Sequence, residues 1–408
     1  MASIGTYIIY VIMICAVAGA IASIRNPESG LGKEFVEGLH AIGPIFIPVA
    51  GIMAAIPYLS EFIRFAAGPL FAAVGADPSI AATTLIAGDM GGYQLADALA
   101  GSRDAWMVAT IVSFMSGATI IFSIPVGLAM LDKSDHKYMA LGIMSGILSV
   151  PVGVFIAASL IALAGLDVRP EVSTTAAASH QVAMGIGDIL RNLFPLIVFC
   201  VAVALGLRFV PDAMIKGFLW FGRIMYAGIT LVLVASIVEY FTGFFSALFG
   251  TWGFDPIIAD EQDQFRALEI AGYIGIMLAG AFPMVYLLTR YLAGPMQALG
   301  SRIGVSPEGA AGLLAASANI LAMYRLVGRM QAKDKVLAIA FAVCAAFTFG
   351  DHLAFTANFQ PTIILPLMLG KLLGGAAGFM LALWLSVPKA QELASREGAP
   401  APATVPAE

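Results

Sequence analysis

IPYLSEFIRFAAGPL, at residues 56–70, aligns without gaps on FPMVYLLTRYLAGPM, at residues 282–296. A proline, an arginine, a glycine and a second proline recur in the same order and at the same spacing in both stretches. A further match follows downstream, between DPSIAATTLIAGD (77–89) and SPEGAAGLLAASA (306–318). This internal repeat predicts that one structural unit occurs twice in the chain.

Composition indicates the solvent in which this unit folds. Of the 408 residues, 60% are apolar and 12% are charged, whereas a soluble domain carries roughly 25% charged residues. The net charge of −5 is spread out without a basic stripe, which argues against a nucleic-acid partner. The three cysteines lie singly, without metal or redox spacing, so neither a metal nor a cofactor is expected. The chain is therefore predicted to be a polytopic helical membrane protein.

Nine apolar segments are long enough to cross about 30 Å of hydrocarbon. They lie near residues 4–24, 38–59, 105–130, 138–165, 186–210, 218–249, 268–292, 335–350 and 360–386. The first segment has no positively charged n-region, so it is interpreted as a retained transmembrane helix rather than a signal peptide. Residues 389–408 are rich in Ala, Pro and Glu and are predicted to form a disordered cytoplasmic tail behind a membrane domain at 1–388.

Charges in the loops orient the chain in the membrane. The loop 325–335 carries four basic residues and is expected in the cytoplasm, whereas the acidic loop 250–266 has little to hold it there. The span 268–292 and the interrupted apolar segment 305–325 separate these loops, and two crossings would place both loops on one side. We therefore expect residues 305–325 to enter and leave the membrane on the same side. Because residues 79–100 occupy the matching position in the repeat, we expect the same of them.

With two re-entrant segments, the two halves of the chain, about 36–130 and 265–375, run in opposite directions through the bilayer. Inverted repeats with broken helices at matching positions are typical of secondary transporters. The predicted fold is accordingly all-α, an inverted-repeat transporter bundle of about nine to eleven membrane segments.

Two aspartates lie at membrane depth beside glycines. Asp89 belongs to AGDMGGYQLAD (87–97) and Asp351 to FGDHLAFTANFQP (349–361). An ionised aspartate at the bilayer centre costs at least about 2.5–3.5 kcal/mol, so it needs a partner or a proton. The pair is predicted to bind a cation or to carry a proton. The alternative is a cap or a buried link to an arginine or histidine.

Three neighbours of these aspartates are further candidates. His352 either orients Asp351 or titrates near neutral pH. Asn319, in ASANILAMY (316–324), falls at the repeat position beside that of Asp89. Tyr93 follows Asp89 closely enough to face an ammonium group by a cation–π contact.

An enzyme is the alternative class. Intramembrane aspartyl proteases use two aspartates that share a proton. Their GxGD motif needs a glycine two positions before the GD pair, where this chain has Ile86 and Thr348. No HExxH, GxSxG, Walker A or dinucleotide motif occurs either, so the sequence predicts no enzyme.

Four stretches resemble a known family, the ethanolamine-utilisation permeases (EutH). They are GDMGGYQLADALAG (88–101), ATIIFSIPVGLAMLDKSDHKYMALGIMSGI (118–147), GAFPMVYLLTR (280–290) and FGDHLAFTANFQPTIILPLMLGKLLGG (349–375). The resemblance extends from about residue 36 to 388. One departure is Ile320, where the family pattern leads us to expect a second asparagine after Asn319.

The resemblance implies a multi-pass permease of the bacterial inner membrane whose partners are ethanolamine and the lipid bilayer. Asp89 or Asp351 would then bind the ammonium group, and Asn319, Asn358 or Gln94 the hydroxyl group. A potential of 100 mV accumulates a monovalent cation roughly fifty-fold, so uniport suffices. Two acidic sites nevertheless exceed what one ammonium group requires. The sequence leaves three questions open: whether uptake is uniport or proton-linked, whether other small amines are transported, and whether the protein forms a homo-oligomer.

Overall fold

The computed structural model describes residues 2–398, which are almost entirely helical. The α-helices are α1 Ala2–Arg25, α2 Gly30–His40, α3 Ile42–Ala54, α4 Ile56–Ala66, α5 Gly68–Ala73, α6 Ser79–Leu85, α7 Gly92–Leu99, α8 Arg103–Val112, α9 Ile124–Met130, α10 His136–Ile147, α11 Val150–Leu163, α12 Ile186–Phe209, α13 Pro211–Thr242, α14 Phe244–Phe249, α15 Ala267–Arg302, α16 Pro307–Ala318, α17 Ile320–Val327, α18 Ala332–Ala345, α19 Asp351–Phe359, α20 Ile364–Leu385 and α21 Val387–Gly398. A π-helix, Ser113–Ser123, joins α8 to α9, and short 3₁₀ turns lie at Gly88–Met90, Lys133–Asp135 and Pro361–Ile363. Strands β1 (Asp167–Val168) and β2 (His180–Gln181) form an antiparallel pair in the loop after α11.

Within residues 2–398, eight helical segments are long and apolar enough to cross a membrane. They are α1, α2–α3, α8–α9 with the intervening π-helix, α10–α11, α12, α13, α15 and α20. This confirms the prediction of an all-α polytopic membrane protein.

A ninth crossing consists of two shorter helices, α18 and α19. Near the start of α18, Lys335 pairs with Asp135, which precedes α10. Just after α19, the side chain of Gln360 donates to the carbonyl of Arg169 at 2.9 Å, and Arg169 follows α11. Because α10–α11 is itself a span, α18 and α19 together cross the same thickness. The predicted segment 335–350 therefore ends too early, because its second half, α19, lies beyond a break in the helix.

Two ends of the bundle can now be distinguished. The outer end carries the loops 165–185 and 250–266, whose residues Val172 and Phe265 line one cavity. The inner end carries the loops 131–135 and 328–335, which the Lys335–Asp135 ion pair joins. The distribution of acidic and basic loops is the reason for these names.

Several predicted boundaries are corrected. The segment 218–249 ends at Thr242, because Gly243 adopts a left-handed conformation with φ +60° and starts the separate helix α14. The prediction of a disordered tail is wrong for residues 389–398, because these residues belong to the helix α21. Val387 and Ala390 of α21 are buried against α18, so an apolar stripe holds this helix to the bundle. Residues 399–408 lie outside the described part of the chain.

Both interrupted segments are helical hairpins, as the re-entrant prediction requires. In the first, α6 and α7 pack together, and the carboxylate of Asp77 before α6 accepts from the N–H of Gly101 after α7 at 2.8 Å. In the second, α16 and α17 pack together, and the N–H of Ser306 before α16 donates to Asp334 in α18 at 3.2 Å. Each hairpin therefore begins and ends at one side of the bundle.

The two hairpins start from opposite ends. The first closes beside Arg103, whose guanidinium donates to the carbonyl of Pro170 at the outer end. The second closes beside Asp334, next to Lys335 at the inner end. Opposed hairpins of this kind are the arrangement expected of an inverted repeat.

The repeated sequence nevertheless adopts two forms. Residues 56–70 form α4 and the start of α5, with turns at Ala55 and Ala67. Residues 282–296 lie inside the continuous helix α15, in spite of Pro283 and Pro295. A proline removes one helical hydrogen bond and favours a kink. In α15 the helix continues past both prolines, and α1, α2 and α3 pack against this helix.

The topology makes a testable prediction about sidedness. Ser102 and Gly328 are exposed at the outer and inner ends, and the three native cysteines are buried. Ser102→Cys should react with an impermeant maleimide added outside intact cells, and Gly328→Cys should react only after the membrane is opened. Labelling of both positions from the same side would contradict the opposed hairpins.

The contact between the first hairpin and the π-helix predicts a stability effect. A Cβ at Gly117 would lie 2.2 Å from the carbonyl oxygen of Ile86, which neither backbone can accommodate without moving. Gly117→Ala should therefore destabilise the folded protein by about 1–3 kcal/mol and lower its melting temperature in detergent. Gly228→Ala, in α13 with no atom within 4 Å of the added methyl, is the matched control. Equal melting temperatures for the two variants would disprove this packing.

Candidate functional site

A cavity of about 400 Å³ lies between the tips of the two hairpins. Helices α2, α3 and α15, the π-helix and the break between α18 and α19 complete its wall. Its polar lining residues are Glu37, His40, Asp89, Asn319, Asp351 and His352. The structure thus brings together four of the seven residues that the sequence singled out: Asp89, Asn319, Asp351 and His352.

The tip of the first hairpin presents Asp89. The helix α6 stops at Leu85, and Gly88–Met90 form one 3₁₀ turn before α7 begins. Gly91 has φ +95°, a conformation that a residue with a side chain rarely adopts. The glycines of GDMGG therefore permit a sharp reversal at mid-depth, and this reversal directs Asp89 into the cavity.

The tip of the second hairpin is a single residue. Asn319 separates α16 from α17, and its Oδ1 accepts from the N–H of Leu321 at 2.9 Å, which caps α17. A capping asparagine keeps its Nδ2 as a donor. Asn319 therefore has a structural role and, at the same time, offers a hydrogen bond to a molecule in the cavity.

The break at 346–350 presents Asp351. Phe347 is the one non-glycine residue among residues 2–398 with a positive φ, at +60°, a strained conformation that costs about 1–3 kcal/mol. The second hairpin holds this conformation, because the N–H groups of Phe347 and Phe349 donate to the carbonyls of Ala316 and Ser317 at 3.2 and 2.9 Å. Asp351 then begins α19 at the cavity wall.

His352 links the two acidic positions. Its Nε2 lies 3.9 Å from the Asp89 carboxylate, and its ring packs between Phe114 and Phe347 at 4.8 and 5.3 Å. Its buried Nδ1 has no hydrogen-bond partner in the described part of the chain. Apart from this histidine, no described side chain contacts either carboxylate as a hydrogen-bond donor or cation. Both carboxylates are therefore available to a bound cation.

Lys371 is a charged residue that the sequence analysis missed. Its side chain is only 1% exposed in the middle of α20, and its Nζ donates to the carbonyl of Phe114 in the π-helix at 2.6 Å. Lys371 and His352 also line one small void, beside Thr348. A lysine inside an apolar helix is as costly as an aspartate, so the rule that found Asp89 applies equally to it.

Glu37 and His40 of α2 are two further residues that sequence reasoning missed. They line the cavity on one face of α2. The end of α3 lies at the outer end, because Ala54 accepts from the N–H of Asp255. Glu37 and His40 therefore lie on the inner side of the cavity. Polar residues near a helix end are common, so their spacing alone carried no signal.

Tyr93 and Asn358 do not line this cavity. Tyr93 is fully buried, its hydroxyl accepts from the Gln360 amide at 2.9 Å, and its ring lies 4.6 Å from that of Trp106. The side-chain amide of Asn358 donates to the carbonyls of Tyr273 and Ala354, both at 2.9 Å. Both residues are satisfied by contacts within the bundle.

Gln94 is also absent from the lining of this cavity. Gln94 lies in α7, five residues after Asp89, and it lines a separate cavity near the outer end.

The sequence of this chain is similar to a family of known proteins. A family model described as "Ethanolamine utilisation protein, EutH" matches residues 4–385. A protein of Listeria monocytogenes named "Probable ethanolamine permease EutH" is 36% identical over 385 residues, which cover 94% of this chain and 95% of that protein. A protein of the same name from Escherichia coli is 38% identical, over 91% of this chain and 89% of its own length.

A protein of Bacillus subtilis named "Uncharacterized protein YxeR" is 31% identical, over 93% of this chain and 94% of its own length. No solved structure matches the chain significantly. The family model and the permeases both match nearly the whole chain, including the hairpins and the break that line the cavity. The chain therefore belongs to the EutH family of ethanolamine utilisation proteins.

Proposed function

We propose that this multi-pass inner-membrane protein imports ethanolamine in its protonated form. The observation that carries the proposal is the cavity at mid-depth into which Asp89 and Asp351 open, with the acidic Glu37 in the same lining and His352 3.9 Å from Asp89. An excess of carboxylates over basic side chains in a membrane protein favours a cationic ligand. The names of the relatives in Listeria monocytogenes and Escherichia coli support ethanolamine as that cation.

The arrangement of the lining supports a binding mode. The ammonium group binds between Asp89 and Asp351, because charge-assisted hydrogen bonds are the strongest contacts available to it. Asn319 donates through Nδ2 to the hydroxyl oxygen. His352, packed between two phenyl rings, holds the Asp89 carboxylate from one side.

Uniport needs only the membrane voltage, because 100 mV accumulates a monovalent cation roughly fifty-fold. The cavity lining contributes three formal negative charges, from Glu37, Asp89 and Asp351, and the buried Lys371 contributes one positive charge, which gives a net charge of −2. One ammonium group brings this charge to −1, so the site favours a cation both before and after binding. Lys371 donates to the carbonyl of Phe114 and lines the same small void as His352, and no ion pair joins it to a carboxylate in the described residues.

We propose that the cavity faces inward, because Glu37 and His40, which are both exposed, line it on its inner side. In this state an ammonium ion released from Asp89 leaves toward the inner end. We propose that the halves 36–130 and 265–375, each with one hairpin, exchange roles to open the site outward, as inverted repeats do.

Neither the family nor the site favours the protease alternative. The relatives are named permeases, and the glycine of the GxGD motif is absent at both aspartates. Transport of another small amine stays an alternative that uses the same site. Homo-oligomerisation also stays a prediction. The helices α12 and α13 expose many large apolar side chains at the side of the bundle, where a second copy could bind.

The binding mode predicts the effect of neutralising each aspartate. Asp89→Asn and Asp351→Asn should each reduce uptake of labelled ethanolamine into proteoliposomes at least tenfold, because one charge-assisted contact is lost. Asp188→Asn, at an exposed position at the outer end of α12, removes the same charge and should transport normally. Normal uptake by both site variants would disprove the assignment.

Uniport predicts a purely electrical driving force. A potassium diffusion potential of 100 mV, negative inside, should accumulate ethanolamine roughly fifty-fold at equilibrium. A proton gradient without voltage should add nothing beyond the accumulation seen in protein-free liposomes, which measures diffusion of the neutral amine. Protein-dependent accumulation driven by the proton gradient alone would contradict uniport.

A further inference from the structure

A second cavity, of about 290 Å³, lies at the outer end of the bundle. Residues of α7, the junction of α3 and α4, and the loop 250–266 form its wall. It is separate from the cavity between the hairpins, and its lining is acidic: Asp97, Asp255 and Asp263 against Arg266.

Gln94 is the feature that distinguishes this cavity from an ordinary acidic surface. The residue is only 6% exposed and lines the cavity. Neither its Nε2 nor its Oε1 has a hydrogen-bond partner in the described part of the chain. A buried amide left unpaired costs about 1–3 kcal/mol. The structure therefore retains, at some cost, both a donor and an acceptor that a ligand can use.

Asp255 supplies a carboxylate without a direct partner. Asp97 pairs with Arg103, and Asp263 lies 3.5 Å from Arg266. No described side chain forms an ion pair or hydrogen bond with the half-buried carboxylate of Asp255. Burial raises its pKa, and the longer-range charge of Arg266 opposes this shift. A cation placed beside Asp255 would stabilise its charged form.

The two cavities lie in series. Met53 and Gln94 line the outer one, and Pro48 and Met90 line the inner one. Along α3, Met53 follows Pro48 by five residues, and around the start of α7, Gln94 follows Met90 by four. Between them Ile52 lies against Gly91, where an added Cβ would be 2.9 Å from its side chain. A thin layer of one or two residues thus divides the outer cavity from Asp89.

We propose that the outer cavity is a recruitment site for a small hydroxyl-bearing ammonium ion, in which Asp255 binds the ammonium group and Gln94 the hydroxyl group. The inference rests on the proposed function, because it assigns the same substrate class to a second position on the path. A metal ion is a poor alternative: no group of three or more metal-ligating side chains occurs in the described residues. The ion binds here first and reaches Asp89 when the layer at Ile52 and Gly91 opens.

The test measures two kinetic parameters of ethanolamine uptake into intact cells, the half-saturating concentration and the maximal rate, and asks which of them each variant changes. Gln94→Met and Asp255→Asn should each raise the half-saturating concentration of ethanolamine about tenfold, which is the loss of one charged or polar contact. Maximal rates should stay within twofold, because Asp89 and Asp351 remain intact. Glu261→Gln changes an exposed charge in the same loop and should leave both parameters unchanged.

Two outcomes would overturn the recruitment site. One is an unchanged half-saturating concentration in both variants. The other is a fall in maximal rate together with a lower melting temperature, which indicates a structural role only. The proposed function is tested independently by Asp89→Asn: loss of all uptake in that variant, with unchanged kinetics in the outer variants, refutes the recruitment site alone. Normal uptake by Asp89→Asn and Asp351→Asn refutes the inner site instead.

Discussion

Backbone polar groups in a bilayer have no water to bind, so each break in a helix needs partners inside the protein. Among the described residues, three helix breaks at mid-depth line the cavity, around Gly88–Met90, at Asn319 and at 346–350. The breaks satisfy one another: the N–H groups of Phe347 and Phe349 bind the carbonyl ends of α16. On the other side, the hydroxyl of Ser116 in the π-helix donates to the carbonyl of Thr84 at 2.8 Å, next to the first break. The cavity exists because these breaks have to meet.

The same constraint places the charges. Asp89 and Asp351 occur where backbone irregularity has already opened a polar cavity, so they avoid the cost of facing hydrocarbon. Lys371 avoids it by donating to the carbonyl of Phe114, in the wide turn of the π-helix. π-Helical turns within longer helices frequently mark functional sites. Here the turn serves packing and charge together, since it contacts the first hairpin and accepts a hydrogen bond from the buried Lys371.

The proposed path of the cation follows the order of the cavities. The loop 250–266 and α7 form an acidic outer cavity, the hairpin tips form the inner one, and Glu37 and His40 mark the way to the inner end. The acidic residues attract a cation at each stage. Ile52 and Gly91 lie between the two cavities and in close contact, and on the proposed path they form the layer that moves when the cation passes.

Sequence alone determined the class of protein and the position of the two hairpins, whereas it placed residues 346–350 inside a span that the structure breaks. The long apolar runs predicted the spans, since only helices satisfy their own backbone across hydrocarbon. Small and polar interruptions in two apolar segments, together with loop charges and the internal repeat, predicted the two hairpins. The same reasoning identified Asp89, Asp351, His352 and Asn319, because a charge or a polar break at membrane depth is rare enough to be informative.

Tertiary structure decided which polar residues share a site. Tyr93, Gln94 and Asn358 lie within a few residues of the two aspartates. Helical geometry nevertheless turns Tyr93 and Asn358 toward other partners and Gln94 toward the outer cavity. Lys371 approaches the site from α20, and Glu37 and His40 approach it from α2, through contacts across the bundle that no local pattern records. The tail prediction failed beyond residue 388 for the same reason: α21 is held by burial of Val387 and Ala390 against α18. Local composition determines where a chain breaks and what it dissolves in, whereas partners for buried charges depend on packing between distant segments.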